Sequence, residues 1–311
     1  MSTLVVINPA SANRRTEKLW PRLREQLRKV AGDFEEAFTS GPGQATELTR
    51  RALRQGTRRV ISVGGDGTNN EVLNGFFDDT GQPVCEEAEM GLVPSGTGGD
   101  FRKTLGLTAP DAWAEALRRG HSRRVDVGLV EFTDHQGQKA RRFFLNIVSF
   151  GLSGRVDDTV NRTTKILGGK ASFLLGTLRA ILGWRNQRAR LVLSGPQGQT
   201  LFDQQLRLVT VAAANGQYFG GGMWIAPRAR IDDGLLDVVV LGDIPKSTLL
   251  TRTGRIYRGT HLKMKNVWML QASSLEATSE EKVLIDLDGE AVGRLPIRVR
   301  IMPGALRLIC L

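Results

Sequence analysis

One stretch limits the fold more than any other. Arg59–Val60–Ile61–Ser62–Val63 is a short, mostly apolar run that reads as a buried strand. It stops at Gly64–Gly65, and residues 69–76 open a helix. Only Gly64–Gly65–Asp66–Gly67–Thr68 separates the two. A strand, a tight turn and a helix make half of a βαβ unit, so a mostly parallel sheet flanked by helices follows. Glycine lets the backbone turn sharply and lets a ligand come close. Free N–H groups at the helix start, with the helix dipole behind them, suit a phosphate. Asp66 sits inside that turn, and a carboxylate beside phosphates makes sense with a bridging cation.

A second turn repeats the logic. Val93–Pro94 is followed by Ser95–Gly96–Thr97–Gly98–Gly99–Asp100 and then by a short helix from Phe101. Either turn alone is equally an ordinary tight connection. Two of them, each with an Asp, would converge at the carboxyl edge of the sheet, where open α/β folds bind ligands. Neither has the G-x-x-x-x-G-K-[ST] or G-x-G-x-x-G spacing, which disfavours Walker-type and Rossmann readings.

The alternation extends over the first third of the chain. Strands are expected at 4–7, 34–38, 59–63 and 90–93, and helices at 16–30, 45–55, 69–76 and 111–119. After about Arg124 the texture changes. Short strands are expected at 125–132, 142–148, 190–194, 206–214, 235–241, 265–271, 282–287 and 297–301, several joined by Gly-containing turns. One helical interruption is expected at 164–184. The reading is α/β plus all-β: an N-terminal α/β nucleotide-binding domain over 1–124, then a larger antiparallel β-sandwich over 125–299. A tail at about 300–311 is expected to pack back on the first domain.

Charge narrows the partners. The 311 residues carry 43 Lys and Arg against 32 Asp and Glu, a net of +11, and 33 of the cations are Arg. That implies an anionic partner: nucleic acid, a membrane surface or a polyphosphate. Zinc-finger spacing, an RNP-like aromatic run and a homeodomain pattern are all missing, so nucleic acid is not expected. No run of about 18 apolar residues occurs, so a spanning helix is not expected either. Cys85 and Cys310 are too few for a disulfide framework. The start of the chain lacks a signal-peptide pattern, which predicts a cytoplasmic protein. His121, His135 and His261 have no metal or triad spacing and read as surface residues.

Taken in order, the motifs resemble the diacylglycerol kinase catalytic domain family. These are bacterial lipid kinases related to sphingosine and ceramide kinases, and more distantly to NAD kinases and phosphofructokinases. The resemblance rests on Asn8–Pro9, Thr39 with Gly43–Gln44–Ala45, Gly64–Gly65–Asp66–Gly67–Thr68 with Asn70–Glu71 and Asn74–Gly75, and Pro94–Ser95–Gly96–Thr97 with Asp100–Phe101. It continues through Asn146 with Gly151, Gly220–Gly221–Gly222, Pro227, Ala229, Asp233–Gly234, Leu236–Asp237 and Asp288–Gly289–Glu290. Gly99 departs from the usual Asn, and Ala12 stands where the first loop often has Gly.

The resemblance implies an ATP- and Mg²⁺-dependent kinase of a lipid alcohol. It implies a nucleotide site lined by Asn8, Thr39, Gly64, Gly65, Asp66, Gly67, Thr68, Glu71, Ser95, Gly96 and Thr97. It also implies a water-mediated Mg²⁺ network from Asp66, Asp100 and Asp126. By spacing alone, Asp126 reads rather as a β-edge or turn carboxylate paired with Arg123 or Arg124. Asp288 is the implied general base, with Glu290 beside it. By spacing alone Asp288–Gly289 is as good a hairpin turn, and Asp286 shares a strand face with Asp288. A second, structural Mg²⁺ is implied at the Asp233 carboxylate and the Arg230 and Leu235 carbonyls; an ordinary β-turn is the alternative.

Residues 165–184 place Leu167, Ala171, Leu174, Leu178 and Ile181 at helical spacing, flanked by Lys165, Lys170, Arg179 and Arg185 and closed by Trp184. Either this helix covers one end of the sandwich, or it meets an anionic membrane with Trp184 at the interface. The implied partners are a lipid substrate and an anionic membrane surface, with peripheral association at its inner face. A homodimer stays open, as does the lipid: diacylglycerol, phosphatidylglycerol, ceramide and sphingoid bases all present a hydroxyl. A NAD kinase-like activity on a soluble substrate and a non-catalytic basic binding module are the alternatives.

Overall fold

The computed structural model describes residues 2–95, 99–156, 176–177 and 179–311. The chain divides into two compact units, Met1–Val127 with Pro303–Leu311, and Gly128–Met302.

The first unit is α/β, as the alternation predicts. Its strands are β1 (Thr3–Ile7), β2 (Glu35–Phe38), β3 (Arg59–Gly64) and β4 (Glu89–Pro94). They run parallel in the order β4-β3-β1-β2. Val5, Val6, Ile7, Val60, Ile61 and Val63 are fully buried. Continuous apolar strands of this kind belong to parallel sheets covered on both faces. The helices are α1 (Ser11–Ala31), α2 (Gln44–Arg54), α3 (Asp66–Gly75), α4 (Phe101–Thr104) and α5 (Ala112–Arg119). α1 buries Thr16, Trp20 and Leu27. The Trp20 ring meets Phe34 and Phe38 edge-on. Arg307 and Leu308 add a further parallel pairing beside Glu89 and Met90.

Two local details shape the starts of α3 and α1. α3 starts at Asp66, three residues before the sequence pattern announces it. Gly65 is extended (φ −106°, ψ −169°) and serves as the cap, so Asp66, Gly67 and Thr68 form the first helical turn with their N–H groups at its open end. The first residues of α1 are not helical. Ala12, Asn13 and Arg14 are left-handed (φ 53°, 56° and 62°). That is a costly conformation for residues with a β-carbon, and it accounts for the preference for Gly where this chain has Ala12.

The second unit is largely antiparallel β. Its strands are β5 (Ser122–Asp134), β6 (Lys139–Phe144), β7 (Ile147–Gly151), β8 (Gln187–Ser194), β9 (Thr200–Leu208), β10 (Thr210–Ala214), β11 (Tyr218–Phe219) and β12 (Met223–Trp224). They continue with β13 (Leu236–Leu241), β14 (Val267–Ala272), β15 (Ser274–Thr278), β16 (Leu284–Leu287) and β17 (Glu290–Ile309). The chain crosses from one unit to the other within β5 and within β17. Strand order β14-β13-β10-β7-β16-β17 forms one run, and β9-β8-β15 joins it through β17. Leu295, Ile297, Val299 and Ile301 of β17 are buried at every second position, the alternation of a sheet with one face on a core. That core includes Phe144, Phe150, Leu191, Val211, Val238 and Leu275.

Some expectations give way. The strand expected at 142–148 breaks at Leu145–Asn146, because the Asn146 carbonyl accepts from the N–H groups of Asn215 and Gly216, both at 2.9 Å. The strand expected at 206–214 breaks at Val209, whose N–H donates to the Leu241 carbonyl (2.8 Å). Among the described residues, helix lies outside the expected pattern at 152–156 and in α6 (Lys246–Arg252) and α7 (Gly254–Tyr257). Of the helix expected at 164–184, residues 164–175 and 178 lie outside the described residues. Trp184 is buried, and its indole Nε1 donates to Asn186 Oδ1 (3.1 Å). It is therefore a packing residue rather than an interfacial one. His261 is also buried, with Nε2 2.9 Å from the Ile225 carbonyl, which corrects its reading as a surface residue.

Candidate active site

The first unit builds a cradle from three loop ends. Asn8 follows β1; its N–H donates to the Val63 carbonyl (3.1 Å) and its Nδ2 to Thr68 Oγ1 (3.1 Å). Thr39 follows β2 and donates its N–H to the Ile7 carbonyl (2.9 Å). Ser95 follows β4; its N–H donates to the Gly64 carbonyl (3.2 Å), and its hydroxyl bonds Thr16 Oγ1 (2.7 Å), which also meets Ser11 Oγ. The carboxyl ends of β1, β3 and β4 are thus laced together around the start of α3. Gly96 and Thr97 lie outside the described residues. Glu71 is occupied structurally, because its Oε2 accepts from Ala45 N–H (3.1 Å) and so caps α2.

Gly64 is sterically obligatory. A β-carbon there would stand 2.6 Å from Thr68 Cβ. Gly64→Ala should displace the first turn of α3 and cost about 1–3 kcal/mol, the range for forced overpacking. A thermal melt reads the stability, and a nucleotide titration reads the cradle, which should weaken in parallel. An unchanged melt would mean the turn yields without strain.

Asp66 and Asp100 meet behind this turn. The Asp100 N–H donates to Asp66 Oδ2 (2.8 Å), and Lys103 Nζ donates to Asp100 Oδ1 (2.7 Å). Burial pushes the Asp66 carboxyl up to about 6; repulsion from Asp100 adds to this, while backbone donors oppose it. Among the described residues Asp66 Oδ1 is enclosed without a hydrogen-bond partner. An enclosed carboxylate oxygen of this kind is costly unless a cation compensates it, so these residues fit a divalent ion. Among the described residues no three acidic, His or Cys side chains gather to hold a metal. Asp126, almost fully buried, accepts from Gly304 N–H (2.8 Å) and so ties the returning segment to β5.

The second unit holds the other candidates. Asp288 and Gly289 both have positive φ (49° and 88°) and form the tip of the β16–β17 hairpin, the backbone of a type I′ turn. The turn reading and the base reading are compatible. The tip is pinned by Asp288 N–H to the Ile147 carbonyl (3.1 Å), and Asp288 Oδ1 accepts from Ile147 N–H (3.0 Å). Glu290 Oε2 accepts from Arg142 Nη1 (2.7 Å). Asp286 points elsewhere. It is buried, accepting from Ser149 Oγ (2.9 Å) and from Gly289 N–H (2.9 Å).

Asp286 and Gly289 line an apolar cavity of about 100 Å³. Its walls include Leu152, Val156, Ile181, Val209, Met223, Leu249 and Ile256, and its polar edge is Asp286, Ser153 and Thr210. Ser153 Oγ is 2.8 Å from Ser149 Oγ and 2.9 Å from Thr210 Oγ1. Gly151, at the end of β7, is confined by this packing. Its φ is 102°, and a β-carbon would clash with the Val209 carbonyl oxygen at 2.5 Å. The cavity was not visible in the sequence, because its walls come from segments far apart in the chain.

The remaining metal candidate is the turn after Pro227. Asp233 Oδ1 accepts from Leu235 N–H (3.1 Å), which is ordinary turn chemistry. Nearby Asp237 is buried with Oδ2 enclosed without a partner among the described residues. Burial, then repulsion from Asp233, raises its carboxyl to about 6. Arg228 offsets part of this negative charge, and Arg230 pairs with Asp232 (3.5 Å); a cation at Asp233 and the Arg230 and Leu235 carbonyls remains what the resemblance implies.

Two family models match the chain one after the other. Residues 2–130 match the diacylglycerol kinase catalytic domain, and residues 146–310 match the YegS C-terminal NAD kinase beta sandwich-like domain. A relative from Chromohalobacter salexigens, named "Probable lipid kinase YegS-like", is 30% identical over 98% of this chain and 92% of its own. A Bacillus subtilis relative named diacylglycerol kinase is 25% identical over 94% of this chain and 90% of its own. Two solved structures from Bacillus anthracis str. Sterne, both described with the words diacylglycerol kinase, share the fold. Their TM-scores are 0.77 and 0.69 at 23% and 20% identity, covering 100% of this chain and 95% and 97% of theirs. An α/β phosphate-cradle unit joined to an antiparallel β unit defines a class of phosphotransferases. Within it, this chain belongs to the diacylglycerol kinase and YegS family of lipid kinases.

Proposed function

We propose that the protein transfers the γ-phosphoryl group of ATP to the hydroxyl of a diacylglycerol-type lipid, with Mg²⁺, at the inner surface of a membrane. The observation that carries the acceptor class is the apolar cavity in the second unit, which ends at Gly289, next to Asp288. An acyl chain suits its walls, and its polar groups, among them Asp286, Ser153 and Thr210, suit the glyceryl or ester end of a lipid. The names of the relatives from Bacillus subtilis and Staphylococcus carnosus support the same substrate class.

Phosphoryl transfer asks a protein mainly for positioning and charge stabilisation. The N–H groups of Asp66, Gly67 and Thr68, with Asn8 and Ser95, hold nucleotide phosphates. Asp66 and Asp100, with Asp126, would hold Mg²⁺ through water, and the ion would offset the charge on the phosphates. Asp288 accepts the proton of the lipid hydroxyl while its oxygen bonds the γ-phosphorus and the bond to ADP breaks. A base of this kind contributes about 10²–10⁴ in rate.

The test is labelled ATP with a panel of acceptors in mixed micelles: diacylglycerol, phosphatidylglycerol, ceramide, sphingosine and, in solution, NAD. The expected product is phosphatidic acid, read by mass. Label in NAD, or in none of the lipids, would overturn the reading.

A further inference from the structure

From Ile244 to Leu275 the chain contains no Asp or Glu, but it contains Lys246, Arg252, Arg255, Arg258, Lys263 and Lys265. All six are exposed, and among the described residues none is paired with a carboxylate. The acid just before the run, Asp243, already accepts from Asn186 Nδ2 (2.7 Å). Large apolar side chains stand in the same segment: Leu250, Tyr257 and Trp268 are 40%, 46% and 44% exposed. Leu182, 58% exposed, joins them, because Lys246 Nζ donates to its carbonyl (2.9 Å).

The segment folds on itself with its other side inward. Leu249, Thr253 and Ile256 line the apolar cavity. A second small pocket has Thr248, Arg252 and Ile256 on one side and Met264 and Val267 on the other. α6 and α7 thus lie over the sheet face that carries Leu241 and Val267; their inner side walls the cavity, and their outer side combines cations with exposed Leu250 and Tyr257. Trp268, paired with Val240, belongs to the opposite face of the sheet.

We infer that this outer face is a docking surface for an anionic lipid bilayer. Cations without acidic neighbours are drawn to the negative surface potential, each by about a factor of five in affinity. Tyr257, with a polar tip and an apolar body, suits the headgroup boundary. A nucleic acid would use the same arginines but would gain nothing from Leu182 and Leu250 projecting into solvent. Docking here would bring the bilayer against the outer side of the helices that wall the cavity. The purpose of the surface rests on the lipid-kinase reading; its test does not.

The full chain is sedimented with vesicles of phosphatidylserine and phosphatidylcholine, and with phosphatidylcholine alone, without ATP or diacylglycerol. Wild type should bind the anionic vesicles, and less so in high salt. The double variant R255Q, R258Q should bind about 25-fold more weakly, at two factors of about five. L182S with L250S should weaken binding at low salt without changing the salt slope. All are surface changes, and a thermal melt checks that folding is kept. Turnover of a short-chain, monomeric diacylglycerol should be unchanged, while turnover of vesicle-borne substrate falls with binding.

Equal vesicle binding by wild type and the Arg variant overturns the inference. So does salt-dependent binding of a DNA duplex that matches the vesicle affinity and ignores the apolar variant. Vesicle docking through these residues with no lipid phosphorylated would leave this surface standing and remove the kinase substrate assignment instead.

Discussion

Asp288→Asn should lower turnover by about 10²–10⁴, the usual worth of a positioned base, and leave the fold in place. The geometry makes this substitution unusually clean. Asn tolerates the left-handed backbone that position 288 adopts nearly as well as Asp. It keeps an oxygen to accept from Ile147 N–H, the bond that pins the hairpin. What it lacks is a carboxylate to take a proton. Steady-state assays with labelled ATP, alongside a thermal melt, separate chemistry from folding. Turnover within about tenfold of wild type would exclude Asp288 as the base. Asp286 would then be next, because it is the carboxylate on the cavity wall.

Asp66→Asn should do two opposite things. Without nucleotide it should stabilise the protein at neutral pH, and it should weaken binding of ATP with Mg²⁺ at least tenfold. The folded carboxyl sits at about 6 against 3.8 for a free one. Between those values the folded state holds a proton that the unfolded state has released, so stability falls as pH rises through this window. Above about 6 the full cost of an ionised, enclosed Asp66 is present, of order 1–3 kcal/mol. Asn removes that cost and still accepts from the Asp100 N–H. The gain should therefore be present at pH 8 and gone near pH 4, read as paired melts across pH. A variant that is less stable at pH 8 without nucleotide would show that the carboxylate is a structural tie rather than a cation seat.

The nucleotide side was largely legible in the sequence because its chemistry is local. Gly64 to Thr68 spell out a strand end, a turn and a helix start within five residues, and the backbone alone makes the phosphate site. The Asp288–Gly289 tip was legible for the same reason, though only the order of motifs along the whole chain separates its two readings. The acceptor side was hidden because it is assembled over distance. The cavity gathers Leu152, Val209, Met223, Leu249 and Asp286 from separate elements. His261 has the sequence signature of a surface residue, and its bond to Ile225, 36 residues away, accounts for its burial. Trp184 closes an amphipathic pattern, yet burial decides its role. α6 and α7 leave little trace in the sequence because only Leu249 and Ile256 of their residues turn fully toward the cavity, too few to mark a period.

The segment Pro303–Leu311 has a consequence for how the protein is made. It belongs to the first unit, where Arg307 and Leu308 lie beside β4 and Gly304 is held by Asp126. On the ribosome it emerges only after every residue of the second unit. The usual order, in which the N-terminal domain folds first as it leaves the tunnel, therefore cannot run to completion here. The first unit lacks its Arg307–Leu308 pairing on β4 until the whole second unit has been synthesised, and since β17 runs through both units, the last strand completes the two together.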